Sequence, residues 1–177
     1  MAPGAAWLAH AAPVPLPPAW WWRQAGQGMQ PAAAGADPAG LFPFAPGDHG
    51  FIALCQAYRA TGGVARGEDL AHWMAGCGQG NSLHLAALIV GREAFSFQWG
   101  DTFWVPMFQF SALQPALGEG ARQVLGELAP VLDGWSLAAW FASGNTWLAG
   151  RRPLDLLATD LPLVLAAARA DRDVIRG

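Results

Sequence analysis

Residues 95–110 read FSFQWGDTFWVPMFQF, and the reading of this run decides the fold. Aromatic and β-branched side chains dominate it, which suits a pleated, half-buried surface better than a helix. Two strand-like stretches stand out. Glu93 to Trp99 carries Ala94, Phe95, Phe97 and Trp99, and Phe103 to Phe110 carries Phe103, Trp104, Val105, Phe108 and Phe110. Gly100-Asp101-Thr102 between them is turn chemistry, so a β-hairpin is expected. Pro106 has no N–H to give to a ladder, which places the second strand at an edge or a bulge.

Upstream the periodicity changes from two to that of a helix. Phe51, Leu54, Cys55 and Tyr58 recur at helical spacing, with Asp48 placed to cap and Thr61-Gly62-Gly63 to stop the helix. A second short helix is expected around Glu68 to Ala75, with Leu70, Trp73 and Met74 inward. A third starts at Asn81, a good N-cap, and runs through Leu83 to Val90 before Gly91. Three short helices followed by a hairpin have the shape of a small winged-helix unit.

Downstream everything reads as helix. Val124, Leu125, Leu128, Val131 and Leu132 form one apolar stripe, broken at Asp133-Gly134. Trp135 to Phe141 makes a short helix ended by Ser143-Gly144, and Asn145 caps a turn carrying Trp147 and Leu148. Pro153 suits the first position of another short helix, and Asp160 caps the last, with Leu161, Val164, Leu165 and Ala168 inward. The fold class is therefore mainly α: a winged-helix-like N-terminal portion with a β-hairpin, then a C-terminal bundle of short helices. Three segments follow, namely a largely irregular Pro/Ala-rich arm over 1–46, a helical portion with the hairpin over 47–111, and a helical domain over 112–177.

The arm holds most of the fourteen prolines and only Arg23 and Asp37 as charged residues. Proline removes hydrogen-bond donors and forbids regular helix. Trp20, Trp21 and Trp22 sit inside it, either docked on the folded body or serving as a partner or membrane-interface anchor. Its opening is apolar but has no basic start and five early prolines, which argues against a signal peptide. The longest apolar runs, Leu85 to Val90 and Leu161 to Ala168, are too short for a bilayer, so a cytoplasmic protein with no membrane span is expected.

Charge and composition limit the chemistry. Net charge is -3, all ten basic residues are arginine, and 13% of residues are charged, too few cations for a basic DNA-binding face. The expected third helix offers Asn81, Ser82 and His84 with Arg92 just beyond it, so nucleic-acid binding is doubtful. Hydrophobic residues make up 53% and mean hydropathy is +0.22, which suggests that a partner or a second copy covers part of the surface; a homodimer is expected.

Metal and catalytic readings fare poorly. His72, Cys77 and His84 lack the paired spacing of structural zinc and read better as buried residues of apolar faces; no metal or cofactor is expected. Cys55 and Cys77 make no disulfide framework and carry no nucleophile signature. Asp155 and Asp160 do not share a helix face, and Gly76-Cys77-Gly78-Gln79-Gly80 lacks the Lys and Ser/Thr of a phosphate loop. The expectation is a protein that is not an enzyme.

One ordered set of residues carries a resemblance. Gly134-Trp135, Trp140, Asn145, Trp147-Leu148, Gly150, Arg151-Arg152-Pro153 and Leu156-Leu157, followed by an Ala-rich helix, resemble the C-terminal toxin-binding domain of Xre/MbcA/ParS-type bacterial antitoxins. The upstream Pro106-Met107-Phe108-Gln109-Phe110 resembles the Pro-x-Phe-Gln-Phe segment that often precedes that domain. The resemblance covers residues 92–177. It implies binding and neutralisation of a cognate toxin, commonly of the NAD-consuming RES type, and a homodimer. An N-terminal helix-turn-helix that binds the operon's own promoter is also common in that family. A DNA-binding regulator using residues 65–91, or a scaffold that kept the domain without a toxin, are the alternatives. Trp135, Trp140, Asn145, Leu148, Gly150, Pro153 and Leu157 are the signature positions, read as mainly structural: Asn145 a cap, Trp135 and Trp140 core.

Half of the arginines, Arg151, Arg152, Arg169, Arg172 and Arg176, fall in the last 27 positions. They read either as a solvated face balanced by Asp155, Asp171 and Asp173, or as guanidinium forks meeting an acidic or nucleotide-binding cleft. Val174 and Ile175 add an apolar knob beyond the last helical stripe. The candidate partner-binding residues are therefore Arg151, Arg152, Arg169, Arg172, Ile175 and Arg176. Residues 171–177 are expected to matter for binding and not for the fold.

Overall fold

A computed structural model describes residues 46–111 and 115–177. The irregular arm expected over 1–46 lies, but for Pro46, outside those residues. Among the described residues the chain forms seven α-helices and one three-stranded antiparallel sheet, so it is mainly α. No helix among them is long and apolar enough to cross a membrane.

Helix α1, Asp48–Tyr58, buries Gly50, Leu54 and Tyr58 along one stripe. Its N-cap is Gly47, and Asp48 lies inside the first turn without a capping hydrogen bond. The aspartate therefore acts there only through its charge at the positive end of the helix, which corrects the expected cap. A 3₁₀ turn, Arg59–Thr61, leads to strand β1, Val64–Arg66, which the sequence did not announce. Helix α2, Gly67–Gly76, buries Leu70, Ala71, Trp73 and Met74. Helix α3, Ser82–Val90, is capped by Asn81, whose Oδ1 accepts the N–H groups of Leu83 and His84 at 3.0 and 3.2 Å.

The hairpin forms as expected but is shorter: β2 is Phe97–Trp99 and β3 is Thr102–Pro106. Strand order is β1-β3-β2, so the strand carrying Pro106 is central, not an edge. Two features reconcile it with proline. Strand β2 pairs only as far as Phe97 opposite Trp104, so β3 has a neighbour on one side alone at Pro106. There Val64 faces Pro106 while Met107 N donates to Gly63 O at 2.9 Å, the pattern of a non-hydrogen-bonded pair that needs no N–H from the proline. After it the chain turns through a 3₁₀ segment, Met107–Gln109, where continued strand was expected.

Helix α4, Glu119–Leu128, buries Ala121, Val124, Leu125 and Leu128. Helix α5, Gly134–Ala142, begins at Asp133, whose Oδ1 accepts Ser136 N at 2.7 Å. A Cβ on Gly134 would stand 1.9 Å from the Ser96 carbonyl oxygen, so only glycine lets α5 start against the hairpin backbone. A 3₁₀ turn, Thr146–Leu148, then helices α6, Pro153–Leu156, and α7, Leu161–Arg176, complete the chain. Pro153 opens α6, and Asp160 caps α7.

Two buried clusters hold these elements. The larger joins Leu54, Tyr58, Phe95 and Phe97 to Val124, Leu128, Phe141, Leu148 and Val164, so the two portions drawn from the sequence share one core. The Tyr58 hydroxyl donates to Ala138 O at 2.7 Å across that core, and burial holds its phenol well above its ordinary pKa. The smaller cluster gathers Leu70, Trp73, Met74 and Leu85 with Val105 and Met107.

Gln109, the amide of the Pro-x-Phe-Gln-Phe segment, is the one buried polar side chain among the described residues. Its Oε1 accepts Phe95 N at 2.7 Å, and its Nε2 donates to Phe95 O at 3.0 Å and Pro106 O at 2.9 Å. A side chain thus supplies the hydrogen bonds that a neighbouring strand would give Phe95, so burial leaves none of them unmade.

Candidate functional site

The C-terminal signature positions converge on one carboxylate that the sequence reading treated as a surface counter-ion. Asp171, on α7, accepts three side-chain N–H groups. Its Oδ2 takes Trp140 Nε1 at 2.7 Å and Asn145 Nδ2 at 2.6 Å, and its Oδ1 takes Trp147 Nε1 at 2.8 Å. Hydrogen bonds to an ionised acceptor are about twice as strong as neutral ones, and together these three fasten α5 and the 3₁₀ turn to α7.

Asn145 holds both ends of this arrangement. Its Oδ1 caps the turn by accepting Trp147 N at 2.8 Å, while its amide N–H reaches Asp171. The surrounding loop closes on itself: Asn145 N donates to Arg151 O at 3.0 Å, and Asn145 O accepts Gly150 N at 2.9 Å. Ala149 and Gly150 both take positive φ, at 55° and 79°. A Cβ on Gly144 would come within 2.5 Å of Gly150 O, so the Ser-Gly-Asn start of the loop has steric as well as polar reasons.

The other signature residues frame the loop. Leu148 is fully buried, Pro153 is buried at the start of α6, and Leu157 is half-buried against the core. Trp135 and Trp140 are half-buried, not fully enclosed as core residues would be. Trp135 stands edge-on to Phe97 at 5.3 Å, and Trp140 edge-on to Phe141 at 5.1 Å.

The candidate arginines divide into two groups. Arg169 Nε meets Glu127 Oε1 on α4 at 2.8 Å, and Arg172 bonds Glu127 Oε2 and, at 2.7 Å, Asp173. Arg152 grips Asp155 through both Nε and Nη2 at 2.7 Å. Arg151, by contrast, is exposed and has only a 3.2 Å bond from Nε to Leu148 O. Arg176 is exposed and makes no hydrogen bond or ion pair among the described residues.

Apolar side chains open to solvent lie in the same C-terminal part of the chain. Trp147 is 55% exposed, Val174 71% and Ile175 48%. Asp171, Val174 and Ile175 are spaced i, i+3, i+4, so the indole anchored on Asp171 lies along the same helical face as the two aliphatic residues. Within residues 171–177, expected to matter for binding and not for the fold, Asp171 stands apart through its three hydrogen bonds. Asp171 belongs to the fold, and the exposed knob begins only beyond it.

Chemistry is scarce elsewhere. His72 and His84, expected on buried apolar faces, are exposed, because both fall on the outward side of their helices. No group of three or more His, Cys, Asp or Glu side chains able to hold a metal occurs among the described residues. Cys55 is half-buried, and burial pushes its thiol up to about 11 against the lowering effect of a backbone hydrogen bond. No protein-family model, no curated protein and no solved structure matches this chain.

Proposed function

We propose that this chain is an antitoxin-like protein, not an enzyme, whose C-terminal helical domain binds and neutralises a partner toxin of the NAD-consuming RES type. The observation that supports this reading best is the exposed Trp147, its indole fixed on Asp171, along one helical face with the exposed Val174 and Ile175 and next to Arg176, which makes no ion pair among the described residues. Tryptophan and arginine are the residues that most often dominate protein interfaces, and an indole already fixed by a hydrogen bond loses little freedom on binding. An apolar knob with flanking guanidinium groups suits a cleft that holds a dinucleotide, because it fills space and meets acidic or phosphate-binding groups. Inhibition would then come from occupation of the cleft, with no reaction. Arg152, Arg169 and Arg172 act in this reading as braces that fix α6 and α7. The protein works in the cytoplasm as a homodimer.

A DNA-binding role for the N-terminal portion draws on one observation. The order α1-β1-α2-α3-β2-β3, with sheet order β1-β3-β2, supports the winged-helix-like reading. The face that would enter a groove argues against it. Leu83 and Val90 project from α3 at 79% and 83% exposure, and no arginine lies on that helix.

The proposal is tested by co-expressing the chain with the product of its adjacent gene. The expected outcome is a co-purifying complex that spares cellular NAD. An adjacent gene without a toxin-like product, or a toxin that depletes NAD unhindered, would favour a scaffold role instead.

A further inference from the structure

A groove of about 510 Å³ opens between α2, α3 and the β2–β3 hairpin, away from the C-terminal patch. Leu85, Ala86, Ile89, Val90 and Phe103 form much of its wall. Val90 and Phe103 stay 83% and 59% exposed, so nothing in the described chain covers them. The only charged residues lining it are Glu68 and Asp101. Glu68 has a loose 3.7 Å contact with Arg66, and Asp101 has no ion pair among the described residues. An apolar floor with acidic edges repels a phosphate backbone and selects an occupant that is large, apolar and singly basic.

The chain carries such a segment itself. We propose that Trp20-Trp21-Trp22-Arg23 docks in this groove of its own molecule. Within residues 1–45 the only basic residue is Arg23, placed directly after three indoles. Each indole offers roughly 150–250 Å² of surface to bury, and the arginine supplies the charge the rim lacks. The connection from Arg23 to Pro46 reaches up to about 80 Å when extended, at about 3.3–3.6 Å per residue. The body to be crossed has a radius of gyration of roughly 14 Å. A tether of this kind holds its end at an effective concentration of about millimolar, which favours the same molecule over a second copy. Docked there, the segment covers the outer face of α3, the surface any nucleic acid would need. The inference stands on the groove and the arm alone, and does not depend on the antitoxin reading.

The test uses the full-length chain with a photo-reactive benzophenone amino acid placed at Trp21. After irradiation, peptide mapping is expected to find a crosslink within one chain to residues 82–90 or 101–103. Ala86→Arg, at an exposed position, is expected to abolish it without changing the melting temperature. Phe103→Asp serves as a second block should Ala86→Arg disturb the fold. Arg23→Glu is expected to weaken the crosslink, and Glu68→Arg in the same chain to restore it. Crosslinks confined to other surfaces, crosslinks only between two chains, or a groove crosslink that survives both blocking variants would each overturn the proposal.

Discussion

Asp171 accepts the indole N–H of Trp140 at 2.7 Å, joining residues that lie 31 apart in the chain. The same carboxylate holds Asn145 and Trp147, so one acidic side chain near the C-terminus fixes the end of α5, the loop after it and the indole at its tip. The exposed indole of the proposed binding face takes its position directly from this carboxylate.

Asp171→Ala should therefore destabilise the fold. It leaves three N–H donors to part-exposed surroundings, where water replaces some of what is lost. A loss of about 2–4 kcal/mol is expected, since hydrogen bonds to charged groups contribute about 1.5–3 kcal/mol each. Urea denaturation of the variant and the parent measures it. Truncation separates the two roles of the tail: removal of 171–177 should lower the melting temperature, and removal of 174–177 should not. Equal melting temperatures for both truncations and the parent would show that Asp171 is dispensable.

Gln109 offers a test of the core that is independent of any partner. In Gln109→Leu the N–H and C=O of Phe95 lose their side-chain partner inside the protein, with an expected loss of about 3 kcal/mol. Gln109→Glu turns a carboxyl oxygen toward Phe95 O and Pro106 O, so that group binds a proton more tightly folded than unfolded. Relative to the parent, the variant should be most stable at low pH and lose stability as pH rises through the unfolded glutamate pKa of about 4.3 and beyond. Unfolding curves at several pH values read the slope; a slope no different from the parent's would contradict the amide clamp.

Cys55 gives a pH signature in the parent chain. Its thiol, raised from 9.0 to about 11 by burial, stays protonated in the fold while an unfolded thiol ionises. The contribution to stability is complete below 9.0 and is lost as pH rises from there to about 11. At pH 8 its thiolate fraction, and so its alkylation, should be about 100-fold below that of a free cysteine thiol. Mass-spectrometric labelling checks this site by site, and labelling at the free-thiol rate would exclude the burial described.

Much of the fold could be read along the chain, because its helices follow apolar stripes and carry local caps. Asn81 and Asp160 are examples, each bonding an N–H within three residues. Strand β1 was not legible. Three residues show no alternation worth reading, and their partners in β3 lie about forty positions away. Asp171 was hidden for a related reason: its donors stand at 140, 145 and 147, and no local spacing links them to an acidic residue on the last helix. Trp140 and Asn145 were legible as important, yet not as donors to one acceptor. Gln109 stood in a quoted motif, but its role needs the return of the chain to Phe95.

The central claim is that the patch beyond Asp171 binds the toxin. Ile175→Asp combined with Arg176→Glu tests it most directly, because neither side chain makes a hydrogen bond or ion pair within the described fold. A calorimetric titration of the adjacent gene product into parent and double variant, with melting curves on both, is the measurement. The account predicts unchanged melting and binding weakened at least tenfold, about 1.4 kcal/mol. Equal affinity for the two proteins would contradict it and place the interface elsewhere on the chain.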